Sequence, residues 1–209
     1  MTNIESRLPH LIVLLALVLS MAACSKDSTP TGPGLTLSDK EYVSQGWQQF
    51  EAQRYDSAIT SFTSAFNTAS SQSVKGEALS GRGWSSMYKR DLLNAKSDFT
   101  IALGLPGITS AILNDARVGD AIALYSLNGF ADAASAASAA LTDNPSYAFV
   151  HDAKVTTKRV RLLLVQSYFA NGQFVQAAAQ LDILDAARAP HASDPVTLLG
   201  SITSALNSL

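Results

Sequence analysis

A chain of 209 residues with 47% hydrophobic and only 15% charged side chains has enough apolar surface for a buried core, which excludes a disordered polymer. Fifteen basic against seventeen acidic side chains leave a net charge of −2, so the balance advertises neither nucleic acid nor an anionic membrane surface as a partner. The one cysteine, Cys24, has no second thiol with which to form an intramolecular disulfide.

Arg7 and the terminal amine precede an apolar run over residues 11–19 (LIVLLALVL), and Ser20, Met21, Ala22 and Ala23 then lead into Cys24. The run is shorter than the roughly 17–25 apolar residues that a bilayer-spanning helix needs, so residues 1–23 read as an export signal. The segment resembles the lipobox of bacterial lipoproteins, with Met21 in the place where Leu is usual. That resemblance implies cleavage before Cys24, a covalent diacylglycerol and fatty acid on Cys24, and no other cofactor. Ser25, where an Asp favours inner-membrane retention in such proteins, implies outer-membrane anchoring with the body facing the periplasm. An ordinary secretory signal is the competing reading. Residues 24–37 follow as the lipidated start and a Ser/Thr/Pro/Gly-rich linker, with a coil reach on the order of 20 Å.

From residue 38 to 209 every signal is helical. Ser38 and Glu41 have the spacing of a capping box and open a helix over about 39–53. Apolar periodicity then predicts helices over about 55–69, 74–89, 91–104, 109–127, 130–142, 153–170 and 173–187. Gly104, Pro106 and Gly107 break the fourth from the fifth, and Asn128–Gly129 and Asn171–Gly172 end two more, glycine suiting the left-handed geometry there. Asp194 before Pro195 predicts an N-cap and first residue for a last helix over about 195–207, with Val196, Leu199, Ile202, Leu206 and Leu209 along one side. Sustained period-two alternation is absent, so no sheet is expected.

One register recurs four times: Tyr55–Ala58–Phe62–Ala65, Leu92–Ala95–Phe99–Ala102, Phe130–Ala133–Ala137–Ala140 and Phe174–Ala177–Leu181–Leu184. Gly46, Gly83, Ala121 and Val165 stand at a constant distance ahead. Self-similarity at such a period marks a stacked helical array. The pattern resembles the tetratricopeptide repeat, most fully in the first unit, where Gly46, Tyr55, Ala58, Ile59, Phe62 and Ala65 fall on family positions and Pro145 matches a unit-ending proline. The resemblance implies an all-α fold: a right-handed superhelix of about four hairpins, closed by a capping helix at the C-terminus. The units are stretched beyond the family's 34 residues, above all at 142–157, and Arg161 and Val165 depart from the pattern in the fourth. A plain helical bundle is the alternative.

In that family the first helix of each unit lines a concave groove. Carried over, this places Val43, Trp47 and Phe50 on the groove, then Trp84, Met87 and Tyr88, then Val118, Ile122 and Tyr125, then Leu162, Gln166 and Phe169. Trp and Tyr are favoured binding anchors, so the expected partner is a protein or peptide of the cell envelope. The same aromatics can instead fill the interior, for example under the last helix. Trp47 and Trp84 occupy the places of the carboxylate-clamp asparagines, so capture of a C-terminal carboxylate is not expected. The alternative function is a small-ligand or glycan-binding accessory lipoprotein that uses the aromatic groove for stacking. Lys154, Lys158 and Arg161 fit one helix face, most simply a solvated one. Of the histidines, His151 and His191 lie in connections without a metal-ligand spacing, and no nucleophile elbow or phosphate-binding loop occurs. The chain reads as a scaffold, not an enzyme, with no metal and no nucleic acid.

Overall fold

The computed structural model describes residues 37–209; the expected export signal, Cys24 and nearly all of the expected linker lie outside the described residues. Ser38 caps the first helix as its spacing predicts: Glu41 N donates to Ser38 Oγ at 3.3 Å, and Ser38 N donates back to Glu41 Oε2 at 2.7 Å. The helices are α1 (Asp39–Glu51), α2 (Tyr55–Thr68), α3 (Gln72–Tyr88), α4 (Leu92–Leu103), α5 (Ser110–Ser126), α6 (Phe130–Asp143), α7 (Thr157–Ala170), α8 (Phe174–Leu184) and α9 (Pro195–Asn207). Among the described residues there is no strand, only an isolated bridge between Ala148 and Thr156. None of these helices is long and apolar enough to cross a membrane.

Four hairpins, α1/α2, α3/α4, α5/α6 and α7/α8, stack in sequence order. Each first helix also touches the first helix of the next unit, whereas the second helices do not touch one another among the described residues. A row that touches along one side and splays along the other is curved, so α1, α3, α5 and α7 form its inner face.

The stack is locked by aromatic rings set into glycine slots. Phe62 of α2 is fully buried between Gly46 of its own unit and Gly81 of the next. A Cβ built on either glycine would fall 2.6 Å and 2.3 Å from the Phe62 ring. Phe99 repeats the arrangement between Gly83 and Gly119, at 2.7 Å and 2.3 Å. Only glycine leaves room for a ring so close to two backbones. The third unit solves the same problem with small residues, Ala121 and Ala137, both buried.

A polar rung joins the two helices of the first unit, and of the second, at another shared position. In the first, Ser61 Oγ donates to Gln45 Oε1 and Gln49 Oε1 at 3.0 and 2.8 Å. In the second, Arg82 grips Asp98 through both carboxylate oxygens, at 2.8 and 2.6 Å. The third unit has Asp120 at the place of Arg82, but Ala136 faces it where Asp98 would be, and Asp120 Oδ1 has no hydrogen-bond partner. Burial pushes the Asp120 carboxyl up to about 6, with Lys96 acting against the shift.

Three expectations are corrected. The turn between the helices of a unit puts one residue at positive φ, and in the third unit this is Asn128 at +65°, not Gly129, which precedes α6 at −81°. Gln53 and Arg90 occupy the same place in the first two units, and Gly172 in the fourth. Secondly, α7 begins at Thr157, not near 153, because Thr156 caps it and Phe149 N bonds Val155 O at 3.0 Å in a folded-back connection. Lys154 therefore lies off the helix that carries Lys158 and Arg161. Thirdly, α9 and the chain end cap α7 and α8 with Ile202 and Leu209 of the expected stripe, but also with Leu198 and Ala205, packed on the cluster that includes Leu162, Val165 and Leu181. Val196, Leu199 and Leu206 of the expected stripe face solvent.

Candidate functional site

The inner face is built from equivalent positions on α1, α3, α5 and α7. Trp47, Trp84, Ile122 and Gln166 form one row, and Phe50, Met87, Tyr125 and Phe169 a second, one helical turn on. Stacking at a constant register gives such rows their continuity. Half of this face is covered by the chain itself.

The cover is the long connection between α6 and α7, residues 144–156. Phe149 lies flat on Trp84, ring centres 4.2 Å apart and planes 19° apart. His151 lies flat on Trp47 at 3.7 Å and 5°. The Phe149 ring also meets Trp47 and Phe50 edge-on, at 5.9 and 6.1 Å. Such aromatic contacts are worth about 0.5–1.5 kcal/mol each beyond the area they bury. Polar contacts fasten both ends of the segment. Tyr147 Oη donates to Asp115 Oδ1 at 2.8 Å, His151 Nδ1 lies 2.8 Å from Glu51 Oε1, and Tyr88 Oη donates to Asp152. Burial and the Asp152 charge push the Tyr88 phenol well above its ordinary range. Trp84 is consequently 0% exposed and Trp47 only 7%.

The tryptophans therefore fill an interior, and their cover is this connection, whereas α9 sits at the far end of the stack. Phe50 is buried with them, Val43 is buried on the α1 side, and Val118 belongs to the core. Sequence reasoning missed Phe149, His151 and Asp152 as groove-facing residues. The signal available was the excess length at 142–157 together with three aromatic rings, Tyr147, Phe149 and His151, in a connection that would ordinarily be polar.

The other half of the inner face is open. A cleft of about 340 Å³ is lined by Tyr88, Ile122, Leu162, Leu163, Gln166 and Leu206, with Asp152, Lys154, Val155 and Arg159 along its edge. A second, of about 570 Å³, shares Tyr88, Ile122 and Val155 and adds Trp84, Met87, Arg90 and Ser126. Six groove-facing positions expected from the sequence, Trp84, Met87, Tyr88, Ile122, Leu162 and Gln166, thus converge on adjoining clefts. Tyr125 and Phe169 do not join them; their rings pack edge-on against Phe130 and Phe174. The clefts are apolar at the floor and positively charged at the rim, where Arg90, Lys154 and Arg159 stand against Asp152.

No protein-family model matches the chain, and no curated protein sequence aligns with it. Among solved structures it is similar to a tetratricopeptide repeat protein from Parabacteroides merdae, with a TM-score of 0.58 at 12% identity, 81% of this chain being covered. The chain spans 60% of that protein's length. The overlap is looser with the TPR2AB domain of yeast Sti1 in its pHSP90 complex, at TM-score 0.45, 14% identity, 81% of this chain and 71% of the other. It is looser again with a thermophilic TPR protein of Thermus thermophilus, at 0.38, 15%, 81% and 100%. The described residues have the tetratricopeptide-type fold, a superhelix of hairpins with a helix closing its C-terminal end.

Proposed function

We propose that this chain is a lipid-anchored scaffold of the cell envelope that holds a segment of a protein partner in the open half of its concave face. The observation that carries the reading is the covered half. There a folded-back segment of the chain's own backbone already lies across the inner helices, with Phe149 and His151 down on the Trp47–Trp84 row and hydrogen bonds from Tyr147 and His151 holding it. The other half of the inner face offers a similar apolar floor without an occupant from the described residues. A glycan reading would need flat aromatic faces for stacking, and those of Trp47 and Trp84 are taken by His151 and Phe149, so the peptide reading is favoured.

The anchor rests on the lipobox-like segment ending at Cys24, and the linker would let the body stand off an outer membrane on its periplasmic side. Incorporation of a clickable fatty acid, lost in Cys24→Ser, tests this part. The groove is tested by photo-crosslinking residues placed singly at Ile122 and Gln166, with Ile101 on α4 as a control on the outer side. The same adduct should form from both groove positions and not from the control. Equal yields from all three positions would remove support for the groove.

A further inference from the structure

A second site is written in the row two turns nearer the start of each inner helix than Trp47, Trp84, Ile122 and Gln166: Lys40, Glu77, Asp115 and Arg159 occupy the same register position in successive units. Stacking of α3 on α5 sets the two carboxylates of this row beside each other, and neither forms an ion pair among the described residues. Both face a cleft of about 300 Å³ that is closed on one side by Trp47 and His151 and has no lysine or arginine in its wall.

The hydrogen bonds around this cleft leave acceptors open. Glu77 Oε1 takes the Trp47 indole N–H at 3.3 Å, and Asp115 Oδ1 takes the Tyr147 hydroxyl at 2.8 Å; the other oxygen of each carboxylate receives no donor. Ser80, at 1% exposure, lines the same cleft, and its Oγ has no hydrogen-bond partner. An unpartnered hydroxyl so deeply buried costs about 1–3 kcal/mol unless something in the cleft bonds to it. Asp115 carries a cost of its own: burial, with Glu77's charge adding to it, pushes its carboxyl up to about 6.

We propose that this cleft binds a primary ammonium group, whose three N–H donors match the open oxygens of Glu77, Asp115 and Ser80. The ligand has the form R–NH₃⁺, supplied either by a free small amine or by the amino terminus of a peptide. A metal ion fits less well, because hard divalent cations take about six or more oxygen ligands and no group of three His, Cys, Asp or Glu among the described residues is placed to hold one. The site shares no lining residue with the open clefts, and it does not depend on the scaffold reading.

The test is isothermal titration of the full chain in detergent with 1,4-diaminobutane, glycylglycinamide and N-acetylglycylglycinamide. Saturable binding is expected for at least one of the two free amines and none for the acetylated peptide. Saturation by the diamine alone assigns the site to small amines, by the free dipeptide alone to a peptide amino terminus. Charge-assisted hydrogen bonds being the strong ones, Glu77→Gln and Asp115→Asn each weaken binding by about tenfold or more. Asp115→Asn keeps an oxygen for Tyr147; should it still fail to fold, Glu77→Gln and Ser80→Ala carry the comparison. The proposal is overturned if neither free amine saturates at millimolar concentration, if the acetylated peptide binds equally, or if folded Glu77→Gln binds as the parent does.

Discussion

The first two units and the last two solve the same packing problem with different materials. In the first pair, large rings enter glycine slots, Phe62 between Gly46 and Gly81 and Phe99 between Gly83 and Gly119. In the second pair, Ala137 and Leu181 stand where the phenylalanines would be, opposite Ala121 and Val165. The inner face divides at the same place: sealed by residues 144–156 over Trp47 and Trp84, open beside Ile122, Leu162 and Gln166. The helical hairpin tolerates several volume partitions between its two helices. The end with ring-in-slot packing is the one that carries the chain's own segment, and the end with smaller contacts is the one left open.

The sharpest way to break this contrast is Phe99→Ala, which removes a fully buried ring without changing Gly83 or Gly119. The expected loss is about 3–5 kcal/mol in urea unfolding, because the two backbones cannot close on the space left. The contrast is wrong if the change costs no more than an exposed substitution. Next is Phe149→Ala together with His151→Ala, which strips both rings from the tryptophan row. A loss of about 2–3 kcal/mol is expected, less than for a core ring because the connection can lift as a unit. Trp47 and Trp84 fluorescence should shift to the red as their faces meet water. An unchanged spectrum would mean that the connection is not what shields them. Gly119→Ala comes third, at about 1–3 kcal/mol from overpacking against Phe99. Combined with Phe99→Ala its cost should vanish, and a double-mutant cycle reads that coupling directly.

How far the sequence carried the fold follows from the range of each interaction. Caps, turns and the repeated small residues depend on neighbours within one hairpin, so Ser38, Asp194, Gly46 and Gly83 could be placed from spacing alone. The second glycine of each slot, Gly81 or Gly119, receives a ring from the preceding unit, and a single-unit pattern does not contain it. The cover over the groove is more distant still: His151 meets Trp47 across 104 positions of chain. Extra length and misplaced aromatics at 147–151 signal that something packs there, but not against what. The face of α9 was misjudged for a related reason. Both 196–199–206 and 198–202–205 are apolar helical stripes, and only the shape of the α7/α8 end selects the second. Of the candidate site, the positions on the inner helices were legible; their division into covered and open was not.

The smallest expected effect concerns the incomplete rung of the third unit. Where Arg82 meets Asp98 in the second, Asp120 meets Ala136, and its carboxyl keeps a proton up to about 6. An unfolded Asp releases its proton near 3.9, so between roughly pH 4 and 6 the folded chain binds more proton than the unfolded one at this site. Stability from this group is therefore complete below about pH 4 and is lost as pH rises through about 6. The loss is bounded at about 2–3 kcal/mol, since one pKa unit is worth about 1.4 kcal/mol, and Lys96 moderates it. Asp120→Asn is neutral throughout and should be the more stable of the two chains at neutral pH, the difference shrinking by about 1–2 kcal/mol as the pH is brought to about 4. Asp115, also raised to about 6, stays in both chains and contributes the same slope to each. Urea midpoints measured across this range decide the matter, and parallel profiles would show that Asp120 is already solvated or paired. Restoring the rung with Asp120→Arg and Ala136→Asp together should flatten the profile and bring the third unit to the arrangement of the second.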